Sequence, residues 1–186
     1  MTCPLRSVAV ALFVALTGVA GHGQAPANAP VDEYRVKAAV LFNLARFVNW
    51  PAERFANATA PFSICVLGTD PFGARLDDVV RGHRVGERSI VTQRINDVSP
   101  GCHLLFISTS EQRRLPLLMG KLRGSGALTV AEFSDFTQLG GMVGLITSGD
   151  QVRFDINLAA TSAEQLKVSA RLLAVAGKRR SGEGAP

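Results

Sequence analysis

Phe62-Ser-Ile-Cys-Val-Leu67, followed at once by Gly68-Thr-Asp-Pro-Phe-Gly73, is the stretch from which the fold is read. The first six residues are a short apolar run of β type. The Gly-, Asp- and Pro-bearing segment after them is turn chemistry and predicts a helix reaching Val80. The same unit recurs downstream. His103 to Ile107 is apolar after its first residue, Ser108-Thr109-Ser110-Glu111 follows it, and a helix is expected to about Leu122. Continuous apolar strands that alternate with helices predict a parallel sheet covered on both faces.

Outward from these units the remaining elements fall into place. From Asp32 to Trp50 the apolar residues Tyr34, Ala38, Leu41, Ala45 and Val48 recur at three and four. This predicts an amphipathic helix, N-capped by Asp32 and stopped by Pro51. Val40, Leu44 and Phe47 widen its stripe beyond what one sheet face requires. Leu44 and Phe47 are therefore candidate contacts with a second protomer, the alternative being a helix buried wholly in its own domain. Val85 to Ile95, with a glycine turn at Gly86, predicts a further strand, and Leu128 to Phe133 another. Met142 to Ile146 and Gln151 to Ile156 alternate around Thr147-Ser148-Gly149-Asp150, a hairpin signal. A helical region from Leu158 to Ala176, with a break near Val168 and Ser169 capping its second half, closes the domain. The fold class expected is α/β, a three-layer sandwich with a mixed, largely parallel, Rossmann-like sheet and a C-terminal hairpin and helix.

The N-terminus bears on location. Arg6 precedes an apolar stretch of about 13 residues, Val8 to Ala20, and then Ala25-Pro26-Ala27. That is the order of a secretory signal peptide, so residues 1–27 are expected to be removed and the chain to work in the bacterial periplasm. Cleavage after Ala25 would leave Pro26 at the new N-terminus, which favours Ala27. The apolar stretch is shorter than the roughly 20 residues of a membrane span, so no direct membrane insertion is expected. Residues 28–177 then form a single domain, with enough chain to bury a core. Residues 178–186, opened by Lys178, Arg179 and Arg180, read as a solvated, disordered basic and Gly-rich tail, with a basic anchor as the functional alternative. Without Arg6 the chain keeps 19 basic against 15 acidic residues, a mild excess. Export makes nucleic acid an unsuitable partner.

Few residues offer chemistry. Cys65 and Cys102 survive processing, and an isolated pair in an oxidising compartment is usually a disulfide. Zinc would want about four ligands, and only His83 and His103 could join the cysteines, without CxxC or HxxxH spacing. No metal site and no cofactor are expected. In a parallel sheet, ligands gather at the carboxyl ends of the strands. The loops Gly68-Thr69-Asp70 and Ser108-Thr109-Ser110 would share one crevice there if their strands are neighbours. Thr69, Asp70, Ser108 and Ser110 are thus candidate ligand contacts, although Asp70 and Ser110 also read as simple helix caps. A hydrolase would need a nucleophile elbow of G-x-S-x-G type, which the chain lacks. Asp77 and Asp78 sit side by side on a polar, solvated helix face rather than opposed, as a glycosidase requires. His103 opens a buried strand at the end away from the crevice, which suits a structural role better than catalysis. No catalytic residues are assigned.

Glu33-Tyr-Arg-Val-Lys-Ala-Ala-Val-Leu-Phe-Asn-Leu-Ala-Arg-Phe-Val-Asn-Trp-Pro51 closely resembles the start of the YfiR-like family of periplasmic proteins. Val66-Leu-Gly-Thr-Asp-Pro-Phe-Gly73, Cys102-His-Leu-Leu-Phe-Ile-Ser108, Leu128-Thr-Val130, Gly140-Gly-Met-Val143 and Val152-Arg-Phe-Asp-Ile-Asn-Leu158 follow in the family's order. The resemblance implies a non-enzymatic repressor that binds the periplasmic sensor part of an inner-membrane diguanylate cyclase, keeping cyclic di-GMP low and restraining biofilm. It also implies a homodimer and a disulfide at Cys65 and Cys102. Where some relatives carry a second cysteine pair around the Gly-Gly-Met segment, this chain has Thr137 and Gly144. A sensor kinase is the other membrane partner in view. A small-ligand binding module, which could be the sensing half of such a regulator, is the alternative function. Arg54, near Trp50, and Lys167 would then contact an anion.

Overall fold

Residues 32–180 are described by a computed structural model of the chain. The expected signal peptide at 1–27 and the last part of the expected tail, 181–186, lie outside the described residues. The elements run in the order α1 (Glu33–Phe47), β1 (Val48–Asn49), β2 (Phe62–Leu67), α2 (Ala74–Val80), β3 (Arg84–Val85), β4 (Arg88–Ile95), β5 (Leu104–Ile107), α3 (Leu115–Leu122), β6 (Leu128–Ala131), β7 (Val143–Ser148), β8 (Gln151–Asn157), α4 (Leu158–Ala163), β9 (Lys167–Val168), α5 (Ala170–Val175) and β10 (Arg179–Arg180).

The main sheet has the order β10-β8-β7-β6-β5-β2-β4-β3. The pairs from β4 through β2, β5 and β6 to β7 are parallel. The hairpins β3–β4 and β7–β8 are antiparallel, so the sheet is mixed and largely parallel, as the sequence predicts. β2 is buried at all six positions because its pleat serves two cores. Phe62, Ile64 and Val66 face the layer formed by α1, α2 and α5, whereas Cys65 and Leu67 face α3 through Leu115, Leu118 and Leu122. Leu104 and Phe106 against Leu105 and Ile107 repeat the division in β5. This alternation makes the sandwich three layers deep.

Three local expectations are corrected. The first helix stops at Phe47 rather than running to Trp50, because Val48 and Asn49 pair antiparallel with Val168 and Lys167. Trp50 precedes Pro51, which disfavours helical backbone there in any case. The segment after β5 begins as a 3₁₀ stretch, Thr109–Arg114, before α3. At the C-terminus, Lys178 is tied to β8: its amide donates to Asp155 Oδ1 (2.6 Å) and its carbonyl accepts from the Ile156 amide (2.9 Å). Arg179–Arg180 continue in parallel with Ile156–Asn157, so chain order extends into the segment expected as tail. The break expected near Val168 is present, with Ser169 Oγ accepting from the Leu172 amide (3.3 Å) as the cap of α5. No helix among the described residues is long and apolar enough to cross a membrane.

Candidate functional site

β2 and β5 are neighbours, so the loops 68–70 and 108–110 do emerge side by side at the carboxyl end of the sheet. They bond to each other. The Thr69 amide donates to Ser110 Oγ (2.9 Å), and the Ser108 amide donates to the Leu67 carbonyl (3.0 Å). Gly68 holds φ +88°, and a Cβ added there would lie 2.4 Å from Ser110 Oγ and 2.7 Å from Glu111 Cγ, so the approach is close enough to need glycine. Asp70 Oδ1 accepts from the Phe72 amide (2.7 Å), capping the turn, and its Oδ2 accepts from Arg94 Nε (2.9 Å). Arg94 also binds Asp77, whose carboxyl is held below the usual range chiefly by that guanidinium. Asp77, expected on a solvated face, is instead the partner of Arg94 and Thr92 on β4, while Asp78 pairs with Arg81.

The opposite end of the sheet is built around His103. Its ring is stacked between Phe55 (4.3 Å between centroids) and Phe62 (5.0 Å). Nδ1 accepts the Ser63 amide (3.0 Å), which leaves the proton on Nε2 to be donated to the Arg54 carbonyl (3.1 Å). Burial, aided by the positive charge of Arg88, pushes the imidazole below its ordinary value, so the neutral ring is favoured. Trp50 Nε1 donates to the His103 carbonyl (3.1 Å), tying the family-like tryptophan to the same point. Cys65 and Cys102 are bonded beside it, with Cα atoms 5.8 Å apart. Cys65 is fully buried, and Cys102 lines a cavity of about 590 Å³ with Arg54 and Lys121 at its wall. Arg54 also donates to the Gly124 carbonyl (3.2 Å), while Glu164 accepts the amides of Gly124 (2.6 Å) and Gly126 (2.7 Å). Lys167, the other candidate anion contact, is exposed on β9 opposite Asn49. The cavity therefore gathers Arg54 but neither Lys167 nor the loop residues 69, 70, 108 and 110.

The two candidate interface residues separate. Leu44 is completely buried in its own core, so it offers nothing to a second chain. Phe47 is half-buried and forms part of a groove of about 290 Å³ between α1 and α5. Thr137 and Gly144 face each other, a Cβ on Gly144 falling 3.5 Å from Thr137 Cγ2.

One cluster was not anticipated. Lys37 is 3% exposed, and its ammonium binds Glu132 and Glu33 and lies over the Tyr34 ring (4.7 Å). Burial opposes the charge, but the hydrogen bonds to Glu132 and Glu33 outweigh it and raise the lysine above its ordinary value. The signal was present in the sequence: Lys37 lies three residues after Tyr34 and four before Leu41, on the apolar stripe itself. Among the described residues, no group of three or more His, Cys, Asp or Glu is placed to hold a metal ion.

Known proteins add to this geometry. The fold is similar to that of a Streptococcus pneumoniae structure described as an ABC domain in complex with L-Trp, with a TM-score of 0.53 and 8% identity over 76% of this chain. It is similar also to a conserved domain protein from Vibrio cholerae, with a TM-score of 0.55 and 8% identity over 80% of this chain. The chain covers 60% of the length of each, and at this identity the likeness concerns the fold alone. The sequence profile described as YfiR/HmsC-like matches residues 34–177, from the second residue of α1 to just past α5, and the chain belongs to that family.

Proposed function

We propose that the chain is a periplasmic regulator without catalytic activity, working as a homodimer. It binds the periplasmic sensor part of an inner-membrane diguanylate cyclase and holds its output low, which restrains cyclic di-GMP and biofilm formation. The family match over residues 34–177 carries this reading. The loops at the carboxyl end of the sheet support it, because Ser110 Oγ is engaged by the Thr69 amide, Asp70 by the Phe72 amide and Arg94, and Arg94 by Asp77 as well. Deleting the gene should raise cyclic di-GMP and surface attachment, and deleting a neighbouring cyclase gene as well should abolish the rise. An unchanged nucleotide level in the single deletion, across several growth conditions, overturns the cyclase version and leaves a sensor kinase as the partner.

The cavity beside Cys102 favours a second reading, in which the domain senses a small anionic ligand through Arg54. Thermal-shift screening of small periplasmic anions tests it. A stabilisation that survives Arg54→Ala counts against Arg54 as the contact.

A further inference from the structure

We infer that the groove between α1 and α5 docks an amphipathic helix of a partner protein that carries acidic residues along both flanks of an apolar ridge. Val40 and Phe47 line one wall, Leu172 and Val175 the other, and Phe154 of β8 is among the lining residues. Val40 and Phe47 stand two turns apart on one face of α1. Val175, 70% exposed, leaves an apolar side chain open on the wall of this groove. A helix presenting apolar residues at three-, four- and seven-residue spacings is the occupant that such a channel between two helices fits.

The rim identifies the charge of that occupant. Arg171 lines the groove, and the Arg46 guanidinium, just outside the lining, lies over the Phe42 (5.5 Å) and Phe47 (5.6 Å) rings. Both are exposed, and among the described residues neither has a carboxylate within ion-pair distance. No Asp or Glu lines the groove. A second copy docked through the same face about a two-fold axis would bring one arginine-bearing rim against another with no carboxylate in the groove lining to offset it, which is unfavourable. A bilayer is too flat to fill a concave channel. An apolar ridge with acidic flanks satisfies both the channel and its rim. The inference rests on the regulator reading for the existence of a protein partner, and it names the surface that partner would use.

The probe is a stapled helical peptide with a leucine ridge and glutamates on both flanks, compared with a twin carrying lysines in their place. Methyl resonances of Val40, Leu172 and Val175 should shift saturably with the glutamate peptide only. Arg171→Glu and Val175→Asp, each checked for native circular dichroism, should weaken binding by roughly tenfold or more. Equal binding of the two peptides, or shifts located elsewhere, overturns the proposal. So does a dimer that Val175→Asp dissociates in sedimentation, which would make a second copy the occupant. Sedimentation with phosphatidylglycerol vesicles that Arg171→Glu abolishes would make it the membrane. In cells, Arg171→Glu should release cyclic di-GMP as the deletion does. If the variant represses like the native chain while the deletion does not, the surface is wrong and the regulator stands. If the deletion itself changes nothing, the regulator reading fails and the peptide result alone decides the surface.

Discussion

Replacing Lys37 by Met removes one ammonium from the contact between α1 and Glu132, just past β6, while keeping most of the aliphatic stem. Two carboxylates lose their cation, and the Tyr34 ring loses the ammonium above it. Glu33, with 43% of its side chain exposed, can be hydrated in place and keeps Thr147 Oγ1 as a donor (2.8 Å). Glu132 has an 11% exposed side chain and keeps only the Tyr34 hydroxyl, which donates to it at 3.3 Å. The loss is therefore that of one mostly buried carboxylate stripped of its cation, for which breaking a buried pair costs about 3–5 kcal/mol. The remaining tyrosine bond and the packing of the Met stem place the expectation at the lower end, about 3 kcal/mol. For a domain of this size that is a fall of roughly 6–12 °C in the melting midpoint. Adding Glu132→Gln should restore part of the loss, since the amide needs no counter-ion, giving a coupling of about 1–3 kcal/mol between the two positions. Urea titrations of the native chain, both single variants and the double variant, followed by circular dichroism, measure the four stabilities. A Lys37→Met variant within about 0.5 kcal/mol of the native chain, or strictly additive effects, would refute the account of a coupled buried cluster.

Other expectations follow from the same geometry. The Cys65–Cys102 bond closes 37 residues, so Cys65→Ala with Cys102→Ala should lose about 4 kcal/mol on a chain-entropy reckoning, read as a lower urea midpoint. Because the His103 imidazole is depressed below its unfolded value, its contribution is present above about pH 6.5 and is lost as pH falls through the folded value. Stability should therefore fall as the pH is taken below about 6.5, and a His103→Asn variant, though weaker throughout, should lose that part of the slope. Thr137→Cys with Gly144→Cys should close a second disulfide, since the two positions face each other. Thiol titration of the unfolded protein after aerobic purification should find no free cysteine, and free thiols in equal amount to the new cysteines would show that the side chains cannot meet.

The layers were legible because β2 and β5 are apolar on both faces, and only a strand inside a sandwich has use for that composition. The Asp32 and Ser169 caps were legible because a side-chain oxygen before a helix has one local job, and both accept from the amide three residues on. The cysteine pair could be read from compartment and number alone. What escaped depends on partners far away in the chain. The end of α1 is decided by a strand at Lys167–Val168, and the fate of Asp77 by Arg94 across the sheet edge. Leu44 and Phe47 extend the same helical stripe, yet one is sealed in the core and the other opens on a groove. Periodicity gives the angle around the helix, not the depth of what lies opposite. At the candidate site, adjacency of the loops after β2 and β5 followed from topology, but their mutual hydrogen bonding depends on side-chain geometry that no spacing rule encodes.

The pairing of Val48 with Val168 sets a clock on the chain. A polypeptide emerging N-terminus first presents the greasy stripe of α1 long before its clasp exists. Roughly 120 residues separate the two halves, which at about 5–20 residues per second is some 6–24 s of synthesis. During that interval α2 and the central strands can already pack on α1, but its α5 side stays open, and the clasp closes only when almost the whole domain is available. A domain closed in this way takes its final shape only near the end of synthesis, because its first and last helices are joined by a strand pair whose second half is made so late.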